Sequence, residues 1–421
     1  HMCRSVRESW RPPEEEGIPP ELKKLFQKKR CTNKRAMELM GMKKDAMARA
    51  TPFTTAVKAR YFKSRLTSHS RLPSLRLCSP TKAAFRKKNR RRRGHMKKWK
   101  QRGFAFVLAL SLTTGLLTGA QAAVSKETLN EAVQDTAEYM YRTVQNPQVG
   151  SIGGEWAVLG LARSGYDVPD SYYQDYYATV EAYVTACDGK LHDKKYTEYS
   201  RVIVALSSIG KDARNVAGYD LTKPLGDYEK TIWQGLNGPI WALIALDSAG
   251  YPMPENPEAN VQATRQMYID RILECQLPDG GWSLFGGTEA ASSGDGISDP
   301  DITGMALQAL AKYQDQPEVA RATKEALTCM SEQQSDDGGF ASWGTANSES
   351  CVQMIVALCE LGIELDDPRF VKNGNTMLDN LMTFYRQGEG FLHTQSGSGS
   401  NQMATEQGFY GLVAAQRAAE G

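Results

Sequence analysis

Histidine is scarce in this sequence. There are five in 421 residues, and only His192 and His393 lie beyond residue 123. A zinc centre built mainly on imidazoles is therefore out of reach. Cysteine is thin as well. Of eight, five fall in the long carboxy-terminal part: Cys187, Cys275, Cys329, Cys351 and Cys359. An odd count without tight spacing is not a disulfide framework, and these residues read as small buried apolar side chains. No hydrophobic run is long. The apolar stretch Gly103–Leu117 has 15 residues, short of the roughly 20 that a spanning helix needs. Collagen-like, disulfide-dense and polytopic membrane classes are excluded by composition.

Acidic residues are missing where basic ones abound. Residues 1–95 hold 27 basic and 7 acidic side chains, and residues 96–122 add 4 basic and none acidic. Residues 123–421 carry 20 basic and 41 acidic ones, so the whole-chain charge of +3 describes neither half. The first segment lacks sustained apolar periodicity and ends in Arg86-Lys87-Lys88-Asn89-Arg90-Arg91-Arg92-Arg93. It is expected to be disordered and to lie upstream of the true translation start, so the run implies no nucleic-acid partner. Met96 then opens a basic n-region. The apolar core follows, and Ala120-Gln121-Ala122 supplies a small-x-small cleavage site. Residues 96–122 are thus expected to be a signal peptide cleaved near Ala122, delivering residues 123–421 to the cell surface or medium.

That acidic part repeats itself. A short alanine-rich pattern recurs six times, as Val158-Leu159-Gly160-Leu161-Ala162, Val202–Leu206, Leu243–Leu246, Ala306–Leu310, Ile355–Leu358 and Tyr410–Ala414. Spacings of 40 to 64 residues mark repeated helical pairs. Four copies end in glycine (Gly165, Gly210, Gly250, Gly362), a usual helix stop. One-faced helical patterns lie between them, over 317–333 and 369–385. Helices apolar nearly all round belong inside, and one-faced helices outside. The expectation is all-α: one α/α toroid of six helical hairpins over residues 123–421, closed into a double ring around a central cavity.

Two turns are written almost alike: Gln276-Leu277-Pro278-Asp279-Gly280-Gly281-Trp282 and Gln334-Ser335-Asp336-Asp337-Gly338-Gly339-Phe340, with a worn copy at Gly388-Glu389-Gly390-Phe391. These turns resemble the repeats of the prenyltransferase and squalene-oxidase/squalene-cyclase superfamily, which folds as an α/α toroid. The phrases Gly153–Arg163 and Met403–Gln407 are similar to exported toroid proteins of Gram-positive bacteria, a branch of undefined role. The resemblance implies two chemistries. Protein prenyltransferases hold zinc through Asp, Cys and His, and the stretch where the family's histidine would stand reads Ala404-Thr405-Glu406-Gln407. No metal and no cofactor is expected. Class II cyclases use Asp-x-Asp-Asp at an inner-helix start. Asp299-Pro300-Asp301-Ile302 matches its first two acids, which makes Asp301 the candidate proton donor beside Asp299, with the third acid replaced by Ile302. The competing reading is that these residues cap a helix that Pro300 helps to start.

Each expected inner helix begins with a polar residue: Glu155, Glu198, Asn237, Asp301, Glu349 and Glu406. On closure all six face one rim. Aromatics stand nearby at Trp156, Tyr199, Trp233, Trp241, Trp282, Trp343, Phe409 and Tyr410. The ligand-binding set is therefore Glu155, Trp156, Glu198, Tyr199, Asn237, Trp241, Trp282, Glu349, Glu406 and Tyr410. Two glycine-rich loops, 285–298 and 387–402, border the rim. Asp295, Asp299 and Asp301 do not follow the spacing of a calcium loop. The expected function is an exported monomer binding a small apolar or glycan-like ligand, with wall attachment through further domains. The alternatives are a terpenoid-cyclase-like enzyme using Asp301, and a carbohydrate-active enzyme using a pair of rim carboxylates.

Overall fold

The computed structural model describes residues 123–286 and 296–421. The basic segment, the signal-type segment and Asp295 lie outside these residues.

Twelve α-helices, among the described residues, alternate between two layers. The outer ones are α1 (Lys126–Thr143), α3 (Asp170–Ala186), α5 (Tyr228–Ile232), α7 (Arg265–Glu274), α9 (Pro317–Gln333) and α11 (Met377–Phe384). The inner ones are α2 (Trp156–Arg163), α4 (Thr197–Ser208), α6 (Asn237–Ser248), α8 (Pro300–Leu310), α10 (Ser348–Glu360) and α12 (Gln402–Glu420). The inner helices carry the alanine-rich repeats. Small residues let their backbones approach closely, and a Cβ on Gly304 of α8 would lie 2.7 Å from the Gln353 carbonyl carbon of α10. The outer helices present one buried stripe each, as in Val319, Ala322, Ala326 and Met330 of α9.

The ring closes. Each inner helix packs on the next, from α2 through α4, α6, α8 and α10 to α12, and α12 packs back on α2 and α1. Lys126 Nζ donates to the Ala419 carbonyl at 2.8 Å, and Gln416 Nε2 to Asn130 Oδ1 at 3.0 Å, tying the first described helix to the last. The fold is the all-α toroid of six hairpins that the repeats imply.

The recurrent turns have one job done the same way twice. Gln276 Nε2 donates to the Gly280 carbonyl at 2.6 Å and the Ala322 carbonyl at 2.9 Å. Gln334 Nε2 donates to the Gly338 carbonyl at 2.8 Å and the Phe370 carbonyl at 2.9 Å. Each glutamine pins its own turn to the neighbouring hairpin. Gly280 and Gly338 adopt φ of 99° and 83°, which a side chain resists, and the aromatic that follows is buried. Two two-stranded hairpins also occur: β1 (Ala341–Ser342) with β2 (Thr345–Ala346), and β3 (Tyr385–Arg386) with β4 (Gly390–Phe391).

The 369–385 pattern overstates its helix. Only Met377–Phe384 is α-helical there. Asn373 and Gly374 take positive φ in a tight turn closed by the Lys372–Asn375 pair. Thr376 and Asp379 then form a capping box that fixes the start. Among the described residues, Cys187, Cys329, Cys351 and Cys359 form no disulfide.

Candidate functional site

The inner-helix starts are stitched together side by side at one end of the ring. Glu155, just before α2, accepts from Arg201 Nε of α4 at 2.8 Å. Thr197, the first residue of α4, donates through N and Oγ1 to Gln234 Oε1 at 3.1 Å, just ahead of α6. The Leu236 amide donates to the Leu284 carbonyl at 2.9 Å on the approach to α8. Ser342 Oγ, on the approach to α10, donates to Asp299 Oδ2 at 2.5 Å. Glu349 of α10 meets His393 Nδ1 at 2.9 Å, ahead of α12. Glu406 Oε1 of α12 accepts from the Gly153 amide at 2.7 Å, ahead of α2. Acids from distant parts of the chain therefore come together at one end of the ring.

They are not alike. Glu155 and Glu198 are held by Arg201, at 2.8 and 2.5 Å. Burial pushes the Glu155 carboxyl up while Arg201 opposes it. For Arg201, burial works against the charge, but Glu155 and Glu198 together raise it above its ordinary value. The two glutamates and the arginine form a structural clamp. Glu406 lies one turn inside α12 rather than at its start. Its Oε1 is held by Gly153 and by Gln402 at 2.9 Å, and its Oε2 is buried without a hydrogen bond. Burial raises it to about 7.

Asp299 is the cap of α8. Its Oδ1 accepts from the amides of Asp301 at 2.9 Å and Ile302 at 3.2 Å. Asp301 follows in the first turn with Oδ1 buried and unpaired. Burial first, then the charge of Asp299, raise it to about 7. Glu349 raises it further, and Ser350 and His393 oppose the shift. Neither Ser350 Oγ nor Asp301 Oδ1 makes a hydrogen bond of proper geometry. Asp299 thus has both oxygens engaged, Asp301 keeps Oδ1 unpaired, and the charge of Glu349 on the neighbouring helix is felt at Asp301. Asn237, first in α6, also keeps a buried Oδ1 unpaired.

The aromatics divide. Trp156, Trp241 and Tyr410 meet inside the ring, with ring centroids 5.4 Å apart for Trp156–Trp241 and for Trp156–Tyr410. Because α2, α6 and α12 are not all neighbours, these rings meet across the interior of the ring of helices. Trp282 does not line the mouth. It is fully buried, and its Nε1 donates to the Ile272 carbonyl at 2.7 Å, so it wedges α7 against α8. Tyr199 is also buried, packs on Tyr196 and is pushed up to about 12 by burial.

A chain of amides runs from Tyr410 and matches no motif in the sequence. Tyr410 Oη donates to Gln308 Oε1 at 3.0 Å, Gln308 Nε2 to Gln353 Oε1 at 2.9 Å, and Gln353 Nε2 to Gln407 Oε1 at 2.9 Å. The available signal was Gln308 and Gln353 interrupting helices otherwise apolar all round. Arg201 and His393 carried no local signal. Among the described residues no group of three His, Cys, Asp or Glu side chains is placed to hold a metal ion, and no helix is long and apolar enough to cross a membrane.

No protein-family model matches the chain, so the resemblance to squalene-cyclase repeats rests on the turn motifs and the ring itself. The search of curated proteins likewise found no match. Among solved structures, the chain is similar to one titled "Glycosidase Wild Type", with a TM-score of 0.42 and 12% identity over 70% of this chain and 99% of that one. A likeness of that degree assigns neither family nor activity, and the chain stands as an all-α toroid whose inner-helix starts carry carboxylates at one end.

Proposed function

We propose that the mouth formed by the inner-helix starts takes a glycan-like ligand and that Asp301 is its general acid. The observation that carries this is the Asp301 carboxyl, whose Oδ1 is buried and unpaired and which burial and the neighbouring Asp299 raise to about 7. An acid still partly protonated at neutral pH is what the leaving oxygen of a glycosidic bond requires. Glu349, held by His393 and by Ser348 Oγ at 3.0 Å, supplies the second carboxylate at the same end. In this reading the signal sequence at 96–122 sends the protein to where polymeric glycans are found.

The test is release of reducing ends from a panel of xylan, mannan, β-glucan, starch, chitin and peptidoglycan. At least one polymer is expected to yield product, and Asp301→Asn to reduce the rate by a factor of about 100 or more. If Asp301→Asn binds oligosaccharide as the parent does and neither cleaves any polymer, the site is a binding site and the acid role is wrong. If nothing glycan-like binds or reacts while an isoprenoid is cyclised, the ligand class is wrong.

A further inference from the structure

Trp343 is the most exposed large hydrophobic side chain among the described residues, at 82%. It sits at the tip of the β1–β2 hairpin, where Trp343 and Gly344 have φ of 53° and 75°. Two consecutive positive φ values are the signature of a type I′ turn, whose first central position favours asparagine, aspartate or glycine. A bulky residue there is strained, and solvent gives an exposed indole nothing in return. Such a residue fits function better than folding. The hairpin is not a loose flap. Ser342, next to Trp343, donates to Asp299 Oδ2 at 2.5 Å, and Asp299 in turn caps the helix that carries Asp301. The strained tryptophan is thus tethered through two residues to the candidate acid.

We infer that Trp343 is a stacking platform for a sugar ring beside the one that meets Asp301, so that the site is built for a chain of several sugars rather than a free monosaccharide. This rests on the glycan reading above and adds a length requirement to it. The flat apolar face of a pyranose covers an indole without needing hydrogen bonds from it. Tryptophan also offers that area with little side-chain freedom to lose. A platform outside the mouth adds affinity only to ligands long enough to reach from the acid to the hairpin.

The experiment is calorimetric titration of the full chain with cello-, xylo-, manno-, malto- and chito-oligosaccharides of two to six units, with Trp343→Asn and Trp343→Phe beside it. In at least one series the parent should bind longer chains more tightly. Trp343→Asn should erase that gain, weakening the longest oligomer roughly three- to tenfold while leaving the disaccharide unchanged. Trp343→Phe should retain most of it. Thermal melts supply a second readout, because Trp343→Asn should melt at the same or a higher temperature. A folded Trp343→Asn that keeps the full length dependence overturns the platform and leaves the glycan reading intact. Absence of binding at every length and in every series overturns the glycan reading and this inference with it.

Discussion

Asp301 and Glu406 are the residues on which pH should act. Both are held at about 7 in the folded protein, well above the ordinary values of 3.8 and 4.5. Between those limits the folded state binds more protons than the unfolded one, so stability falls as pH rises. Their contribution is complete below about pH 4 and is lost through neutrality. For Asp301 the shift amounts to at most about 4 kcal/mol. The melting temperature should therefore drop from pH 5 to pH 8, and Asp301→Asn should flatten that slope. A melting temperature that rises over this range would show these carboxyls to be ionised. Arg201 makes a second residue-level case. Arg201→Met would take its cation from the buried Glu155. Loss of one partner from a buried pair costs about 3–5 kcal/mol, measurable by urea unfolding at pH 7. Pairing it with Glu155→Gln should restore part of that. From sequence, polar residues were legible at or near the inner-helix starts. Their division into clamp, cap and unpaired acid was not, because it depends on Arg201 reaching Glu155 of another hairpin and on His393 reaching Glu349 from the segment ahead of α12.

At the scale of elements, the helices were legible where their period was uninterrupted. The pattern over 317–333 became α9 without change. The pattern over 369–385 misled because apolar spacing continued through Asn373-Gly374, whose backbone is set by a local turn instead. Trp282 misled in the opposite way. Its turn motif correctly announced a repeat, but an aromatic that fills the gap between hairpins is spent on packing and cannot also line a mouth. The inner layer depends on close helix approach, and Gly304 marks a place where α8 and α10 meet backbone to backbone. A methyl there would meet Gln353 at 2.7–2.9 Å on backbone and Cβ atoms. Gly304→Ala should destabilise the protein by about 1–3 kcal/mol, although alanine is the better helix former. Equilibrium unfolding decides the sign. A more stable variant would mean that α8 and α10 separate freely, and would weaken the case for a fixed distance between Asp301 and Glu349.

For the whole molecule, closure does what no single hairpin can. It seats α12 against α1 and α2, and so brings Glu406 to Gly153 across a sequence separation of 253 residues. It also leaves Asp301 facing acids contributed by its own helix and by the next. The central claim is that this ring assembles a buried carboxyl that keeps its proton near neutral pH. The measurement that tests it most directly is a carbon-13 NMR titration of aspartate-labelled protein, with the Asp301 resonance identified by its loss in Asp301→Asn. The account predicts a midpoint near 7 that moves down in Glu349→Gln, once the neighbouring charge is gone. A midpoint near 4, unmoved by Glu349→Gln, would contradict it.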